Sequence, residues 1–256
     1  MTFIIAEVGV NHQGDVNLAR KLVDSARESG ADAVKFQLFK SQKLWKDDRI
    51  KDLELSFSDM KMLHRHCEEI GIEFLCTPFG VEELIFLTPF LKRVKIASGC
   101  LQRYELLYAA HQTGLPVILS TGMSTLEEIE HALGILAINV TLLHCTSSYP
   151  CPVVDVNLKV MDTLHRHFGL PVGYSDHTRG ITVSIAAAAR GATVIEKHLT
   201  FDVGANGPDH KASIEPLEFG KMVESIRLVE SALGDGVKRI MPSEEGTRHQ
   251  WFPTAS

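Results

Sequence analysis

The sequence predicts a (β/α)8 barrel, and three observations carry the prediction. Short runs rich in Val and Ile alternate with amphipathic helical stretches along the chain. Eight such units fit into 256 residues, a length that one barrel fills by itself. The strand-like runs are apolar on both faces, as a parallel sheet requires. An open doubly wound sheet is the weaker alternative, because it needs a topological switch point and usually has fewer units.

The first unit pairs FIIAEVGV (3–10) with a helix over NLARKLVDSARESG, in which Leu18, Leu22, Val23 and Ala26 share one face. AVKFQLF (33–39) is the second strand, and after a charged linker SFSDMKMLHRHCEEIG reads as its helix, with Ser58 as N-cap. IEFLCTPF (72–79), VKIASG (94–99), PVILSTG (116–122) and VTLLHCTSSYP (140–150) supply the next four strands. PVGYSDH (171–177) and ATVIEKHLT (192–200) complete the set. Several intervening helices end in Gly, as ESG, EIG, QTG, HFG and ARG, which suits a left-handed cap before the next strand. The helix in EPLEFGKMVESIRLVESALGDG closes the series. The barrel domain is therefore expected at 1–236, with 237–256 a partly ordered C-terminal extension.

The hydrophobic share of 45%, charged share of 23% and net charge of −6 describe a soluble globular protein without a basic footprint for nucleic acid. The five cysteines show no CxxC spacing and read as reduced thiols. The N-terminal apolar run is too short to span a membrane and has no charged leader. A cytoplasmic protein is expected, without membrane or nucleic-acid partners.

In a barrel, chemistry gathers at the C-terminal ends of the strands. Those ends carry Glu7, Asn11 and His12, then Lys35 and Gln37, Thr77, Lys95 and Ser98, and Ser120. Thr146, Ser147 and Tyr149 follow, then Ser175 and His177, and finally Glu196 and His198. Two lysines converging with several hydroxyls make a site for a phosphorylated anion. Lys35 and Lys95 lie in the apolar contexts AVKFQ and RVKIAS at one strand depth, which argues against both snorkelling outward.

His177 and His198 end consecutive strands about 4.8 Å apart, so they can share a divalent metal, or each can serve as a hydrogen-bonded structural group. Spacing leaves both readings open, with Asp176, Glu196 and Asp209 nearby. The lack of Cys in this set favours a hard ion such as Mn²⁺ or Mg²⁺, with Zn²⁺ the alternative. Asp176 itself points away from the mouth by strand alternation. His64, His66, His165 and His167 read as solvated surface, and His144 is left open. Cys76 and Cys145 read as small core residues beside the site. GANGPDHKAS (204–213) reads as a flexible loop whose turn delivers Asp209 to the mouth.

The blocks EVGVNHQG, VKFQ, CTPF, KIASG, ILSTGM, LLHCTSSYP, GYSDHT, IEKHLTFD and GPDHKASIEP, in this order, resemble the sialic acid synthase (N-acetylneuraminate synthase) family, which includes the legionaminic and pseudaminic acid synthases. The resemblance runs from residue 3 to about 235. It implies a TIM barrel that condenses phosphoenolpyruvate (PEP) with an N-acetylated amino sugar, N-acetylmannosamine or a relative, to a nine-carbon 2-keto acid and phosphate. It assigns a divalent metal, Mn²⁺ first, to His177 and His198. It assigns PEP to Lys35, Gln37, Thr77, Lys95, Ser98, Ser120 and Ser175, and the sugar and its water to Glu7, Tyr149 and Asp209. Catalysis then rests on Glu7, Lys35, Lys95 and Asp209; relatives form homodimers through their antifreeze-like domain, and a homodimer is the partner expectation the resemblance carries.

Three features depart from the family pattern. Cys100 stands where relatives often carry an acid after KIxSG, and a thiol there would transfer protons poorly. The stretch SQKLWKDDRIKDLELSFSD is short, and the C-terminal antifreeze-like domain of relatives is expected to be missing. These departures keep two other readings in play: the same chemistry on another aldose, or a degenerate barrel that binds sugar or PEP without turnover.

Overall fold

The computed structural model describes residues 1–41, 48–137 and 139–252. Residues 42–47, in the stretch after the second strand that reads as short, and the tail residues 253–256 lie outside the described residues. Eight parallel strands form the barrel: β1 (Phe3–Gly9), β2 (Ala33–Leu38), β3 (Glu73–Pro78), β4 (Val94–Ile96), β5 (Val117–Ser120), β6 (Val140–His144), β7 (Val172–Asp176) and β8 (Val194–His198). They are ordered β3-β2-β1-β8-β7-β6-β5-β4. Helices α1 (Val16–Glu28), α2 (Phe57–Ile70), α3 (Val81–Leu87), α4 (Tyr104–Gln112), α5 (Leu126–Leu136), α6 (Val160–Phe168), α7 (Thr182–Ala189) and α8 (Pro216–Leu233) follow the strands in turn. The expected fold class is the one observed.

The circle closes where β3 meets β4, a seam that no hydrogen-bonded ladder joins among the described residues. Arginines staple it at both ends. At the bottom Arg93 Nε and Nη2 donate to the two carboxylate oxygens of Glu73 at 2.8 and 3.2 Å. At the top Arg103 Nη1 donates to the Phe79 carbonyl at 2.7 Å.

Ser56, and not Ser58, caps α2. Its hydroxyl accepts from Asp59 N at 3.1 Å while Asp59 Oδ2 accepts from Ser56 N at 2.8 Å. The chain is still extended at Ser56 (φ −75°, ψ 165°), so the helix starts two residues earlier than apolar periodicity suggests. Its far end obeys the glycine rule, with Gly71 left-handed at φ 74°.

Strand alternation divides the buried residues into two cores. The larger lies between strands and helices and includes Ile4, Val34, Phe36, Phe74, Leu142 and Tyr174. The smaller plugs the barrel: Ile5, Ala33, Leu75, Ile118, Leu143 and Val194, with Phe3 against it. Gly173 faces this plug because nothing larger fits: a Cβ would lie 2.4 Å from the Val194 carbonyl and 2.7 Å from Leu143 Cδ2. Two residues further along the same strands, the inward positions turn polar: Glu7, Lys35, Thr77, Ser120, Ser175 and Glu196.

Other expectations need correction. His64 and His66 are half-buried. His64 packs against Phe74 and Phe90, and His66 Nε2 bonds Asp24 Oδ1 at 2.6 Å, tying α2 to α1. His165 and His167 are exposed as expected. His144 is buried, with its Nε2 2.6 Å from the Val156 carbonyl, and serves packing. The 204–213 loop is tied down: His210 is buried with Nδ1 2.8 Å from Thr200 Oγ1, Ser213 Oγ donates to the Asp209 carbonyl at 2.7 Å, and Asn11 Nδ2 donates to Ser213 Oγ at 2.9 Å. The extension includes a short helix, α9 (Glu245–Trp251), and all its described residues are exposed. Among the described residues no helix is long and apolar enough to cross a membrane.

Candidate active site

The polar layer above the plug is a network built on two cations. Lys35 and Lys95 are 3% and 2% exposed, inside the barrel on β2 and β4. Lys35 Nζ lies 2.7 Å from Glu7 Oε2, donates to Thr77 Oγ1 at 3.1 Å, and lies 3.6 Å from Glu196 Oε2. Lys95 Nζ donates to Ser120 Oγ at 2.7 Å and lies 3.9 Å from Glu196 Oε1, which accepts from Ser175 Oγ at 2.9 Å. Glu196 therefore sits between the two lysines. Gln37 Nε2 donates to the other Glu7 oxygen at 2.9 Å.

The electrostatics separate the three carboxylates. Burial opposes the Glu196 charge, but Lys35 and Lys95 outweigh it and hold its pKa down at about 2. Glu7 is buried as deeply and has Lys35 beside it, yet burial and the Glu196 charge carry its pKa up to about 7. Burial also lifts Asp209 to about 6. The site thus holds one firmly ionised carboxylate and two that exchange protons near neutrality. Burial lowers Lys95, partly offset by Glu196. For Lys35, burial is overcome by Glu196 and Glu7 and its pKa rises.

Gly9 lets this corner close. Its φ is +55°, and a Cβ there would lie 2.9 Å from Asp209 Oδ2, 3.2 Å from Gln37 Nε2 and 3.3 Å from Glu7 Oε1. A second glycine shapes the opposite corner. Gly122 N donates to Ser98 Oγ at 3.0 Å, and a Cβ at Gly122 would meet Ser147 Oγ at 2.5 Å and Cys145 Sγ at 3.0 Å. Gly122 is buried and its N–H is already given to Ser98, so this corner offers an anion the hydroxyls of Ser98 and Ser147.

His177 and His198 lie side by side on the rim, ring centroids 5.7 Å apart. Tyr149 covers His177 at 4.1 Å and is 44% exposed, so it forms the lip. His177 Nδ1 faces the Thr146 carbonyl at 2.8 Å, which makes it the donor and leaves Nε2 with a lone pair, 3.3 Å from Ser175 Oγ. His198 Nδ1 is buried with no hydrogen-bond partner, 3.7 Å from Asp209 Oδ2. Burial lowers the pKa of both rings, His198 far more, with His177 and Lys35 adding to it. Among the described residues no group of three or more His, Cys, Asp or Glu side chains is placed to hold a metal ion. Two neutral imidazoles, one orphaned nitrogen and a neighbouring carboxylate nonetheless suit a divalent ion with open positions.

The residues that the resemblance assigned to PEP, sugar and metal all reach this mouth, whereas Asn11, His12 and Thr146 bond Ser213, Gly14 and the Asp155 carbonyl instead. Glu7, Lys35, Gln37, Thr77, Lys95, Ser120 and Ser175 share one network, Ser98 lies at the Gly122 corner, and Asp209, Tyr149, His177 and His198 make the other rim. The sequence reading placed Glu196 at its strand end beside the histidines but not between the two lysines, and it named Ser147 without its closeness to Gly122. Cys100 is not at the mouth: it is fully buried in the outer core, and burial pushes its thiol pKa up.

Comparison with known proteins places the chain among carbohydrate-acid synthases. The profile of the NeuB family matches residues 22–238. The N,N'-diacetyllegionaminic acid synthase of Campylobacter jejuni is 46% identical, over 95% of this chain and 81% of its own length. The N-acetylneuraminate-9-phosphate synthase of Homo sapiens is 37% identical, over 94% of this chain and 74% of its own. The crystal structure of N-acetylneuraminic acid synthetase from Leptospira borgpetersenii superposes with a TM-score of 0.91 at 37% identity, covering 97% of this chain and 90% of that one.

Proposed function

The chain belongs to the NeuB family, and on that footing we propose that it condenses PEP with an N-acetylated amino sugar to give a nine-carbon 2-keto sugar acid and inorganic phosphate. The observation that carries the reading is the pair of buried lysines, Lys35 and Lys95, flanking one seat lined by Thr77, Ser120 and Ser175. Glu196 offsets one of these two buried cations and Glu7, with a pKa of about 7, only part of the other, so the seat keeps positive charge for an incoming anion. PEP, with a phosphate and a carboxylate, matches that demand, and the Ser98 and Ser147 hydroxyls offer further donors.

In the proposed reaction the PEP methylene carbon bonds to the acceptor's aldehyde carbon, whose oxygen takes up a proton. C2 is left electron-poor and is captured by one water, and phosphate departs as the C2 carbonyl forms. Lys35 and Lys95 offset the charge on phosphate and carboxylate through these steps. Glu7, with a pKa of about 7, can give a proton to the sugar oxygen or take one from the water. Asp209, at about 6, lies within reach of the same corner. A divalent cation held by His177 and His198 would supply Lewis acidity at the acceptor carbonyl.

The test is phosphate release by the purified chain with PEP, Mn²⁺ and a panel of acceptors. Release with N-acetylmannosamine or a diacetamido relative is expected. No release with any acceptor overturns the reading, and release only with non-acetylated aldoses transfers the chemistry to another acceptor class.

A further inference from the structure

Behind the two rim histidines lies a pair of charges that the reaction does not touch. Asp176 and Lys197 are neighbours of His177 and His198 in the chain but face the opposite way, into the layer between strands and helices. They are cross-strand partners in the β7–β8 ladder, both side chains are 0% exposed, and Lys197 Nζ lies 3.3 Å from Asp176 Oδ2.

Every polar atom of the pair is used, and the bonds converge on one turn. Asp176 Oδ1 accepts from Thr178 N at 2.8 Å and from Thr178 Oγ1 at 2.7 Å. Asp176 Oδ2 accepts from Ser184 Oγ in α7 at 2.6 Å, and Lys197 Nζ donates to the Thr178 carbonyl. The peptide units on both sides of Thr178, the residue after His177, are therefore anchored, while Lys197 ties the residue before His198 to the same point. Thr178 is itself fully buried.

Burying two charges costs several kcal/mol per ion, and well-packed apolar residues commonly serve stability as well. What an ion pair adds is register, since it is satisfied at only one relative height of the two strands. That height also fixes the separation of the imidazoles on the other face. We propose that Asp176 and Lys197 are positioning residues, a clamp behind β7 and β8 that sets the His177–His198 spacing for a divalent cation. The proposal rests on the metal reading of that histidine pair.

Co²⁺ tests it, because its visible absorption reports both occupancy and geometry. The full chain is titrated with Co²⁺ alone, beside the double replacement Asp176→Leu/Lys197→Met and the controls His177→Ala and His198→Ala, with thermal unfolding of each recorded without metal. The expected result is Co²⁺ binding by the wild type and loss in both controls. The double replacement should unfold cooperatively near the wild-type Tm yet bind Co²⁺ about tenfold more weakly or worse, with an altered spectrum. Wild-type affinity and spectrum in the folded double replacement overturn the clamp alone. A wild type that binds no Co²⁺, or histidine controls that bind like it, overturn the metal reading and the clamp with it. If the double replacement fails to fold, Thr178→Val decides: it removes only the hydroxyl given to Asp176 Oδ1, so weaker binding at unchanged Tm supports the clamp and unchanged binding overturns it.

Discussion

Lys95 shows at the scale of one residue how a site opposes the fold that carries it. Its ammonium is held inside the barrel against the pull of burial, with Ser120, the Ile96 carbonyl and Glu196 as compensation. Lys95→Met keeps the stem and drops the charge, so the ligand-free variant is expected to be at least as stable as the wild type in denaturant melts. PEP affinity by calorimetry should fall about 100-fold, since a charge-assisted contact to the anion is lost. A variant that binds PEP like the wild type would remove Lys95 from the anion site. The two lysines were legible in the sequence because a lysine in a run of Val and Ile has few places to go. Glu196 was legible as a strand-end acid, but its role was not, because that depends on reaching cations from β2 and β4, contacts that no local pattern encodes. His12 makes a second residue-scale case. It is 1% exposed, its Nε2 has no partner, its Nδ1 accepts from Gly14 N at 3.0 Å, and Asp15 and Asp59 are the charges facing it. Burial lowers its pKa from 6.5 to about 4. Below 6.5 the unfolded chain takes a proton that the folded one refuses, so stability present above 6.5 drains away as pH falls toward 4. The difference amounts to roughly 3 kcal/mol. His12→Asn, which keeps an acceptor for Gly14 N, should flatten stability against pH across that window, and an unchanged slope would refute the assignment.

At the scale of elements, the strands were readable and the helix starts less so. A strand announces itself by β-branched residues and its faces by alternation, so the inward series of each strand is legible in the sequence. A helix start depends on which hydroxyl meets which amide, and Ser56 and Ser58 look alike in SFSD. The reciprocal bonds between Ser56 and Asp59 decide it. Ser56→Ala should therefore cost about 1 kcal/mol in a denaturant melt and leave PEP binding unchanged. Ser58→Ala, which gives up only the hydroxyl contact to Ser56 at 2.7 Å, should cost distinctly less. Equal losses would return the cap to Ser58. The 204–213 loop was misread for a related reason. Gly, Pro and Asn mark it as a turn region, but the ties that fix it, His210 to Thr200 and Ser213 to Asn11, reach outside the loop where no local pattern shows them.

At the scale of the molecule, the seam between β3 and β4 joins stability to function. The other neighbouring strands share ladders, whereas these two are held by Arg93 to Glu73 below and Arg103 to Phe79 above. Between the staples, Lys35 lies on β2 and Lys95 on β4, on either side of the seam, with Thr77 of β3 bonded to Lys35. In the free protein Glu196 is the anion that both lysines face. A bound PEP would offer the same cations more charge and more hydrogen-bond acceptors, and so would bridge the seam where the backbone does not. Ligand at 100 times its dissociation constant stabilises a fold by about 2.7 kcal/mol. If the bridge is the source, that gain is unevenly spread. Amide exchange followed by mass spectrometry should slow most in β3 and β4 when PEP is added without metal, and least in β6 and β7, whose ladder is already complete. Lys95→Met should erase the difference between the two regions. Uniform slowing around the barrel would mean that PEP stabilises the whole fold without acting on the seam, and the arginines alone would then account for its closure.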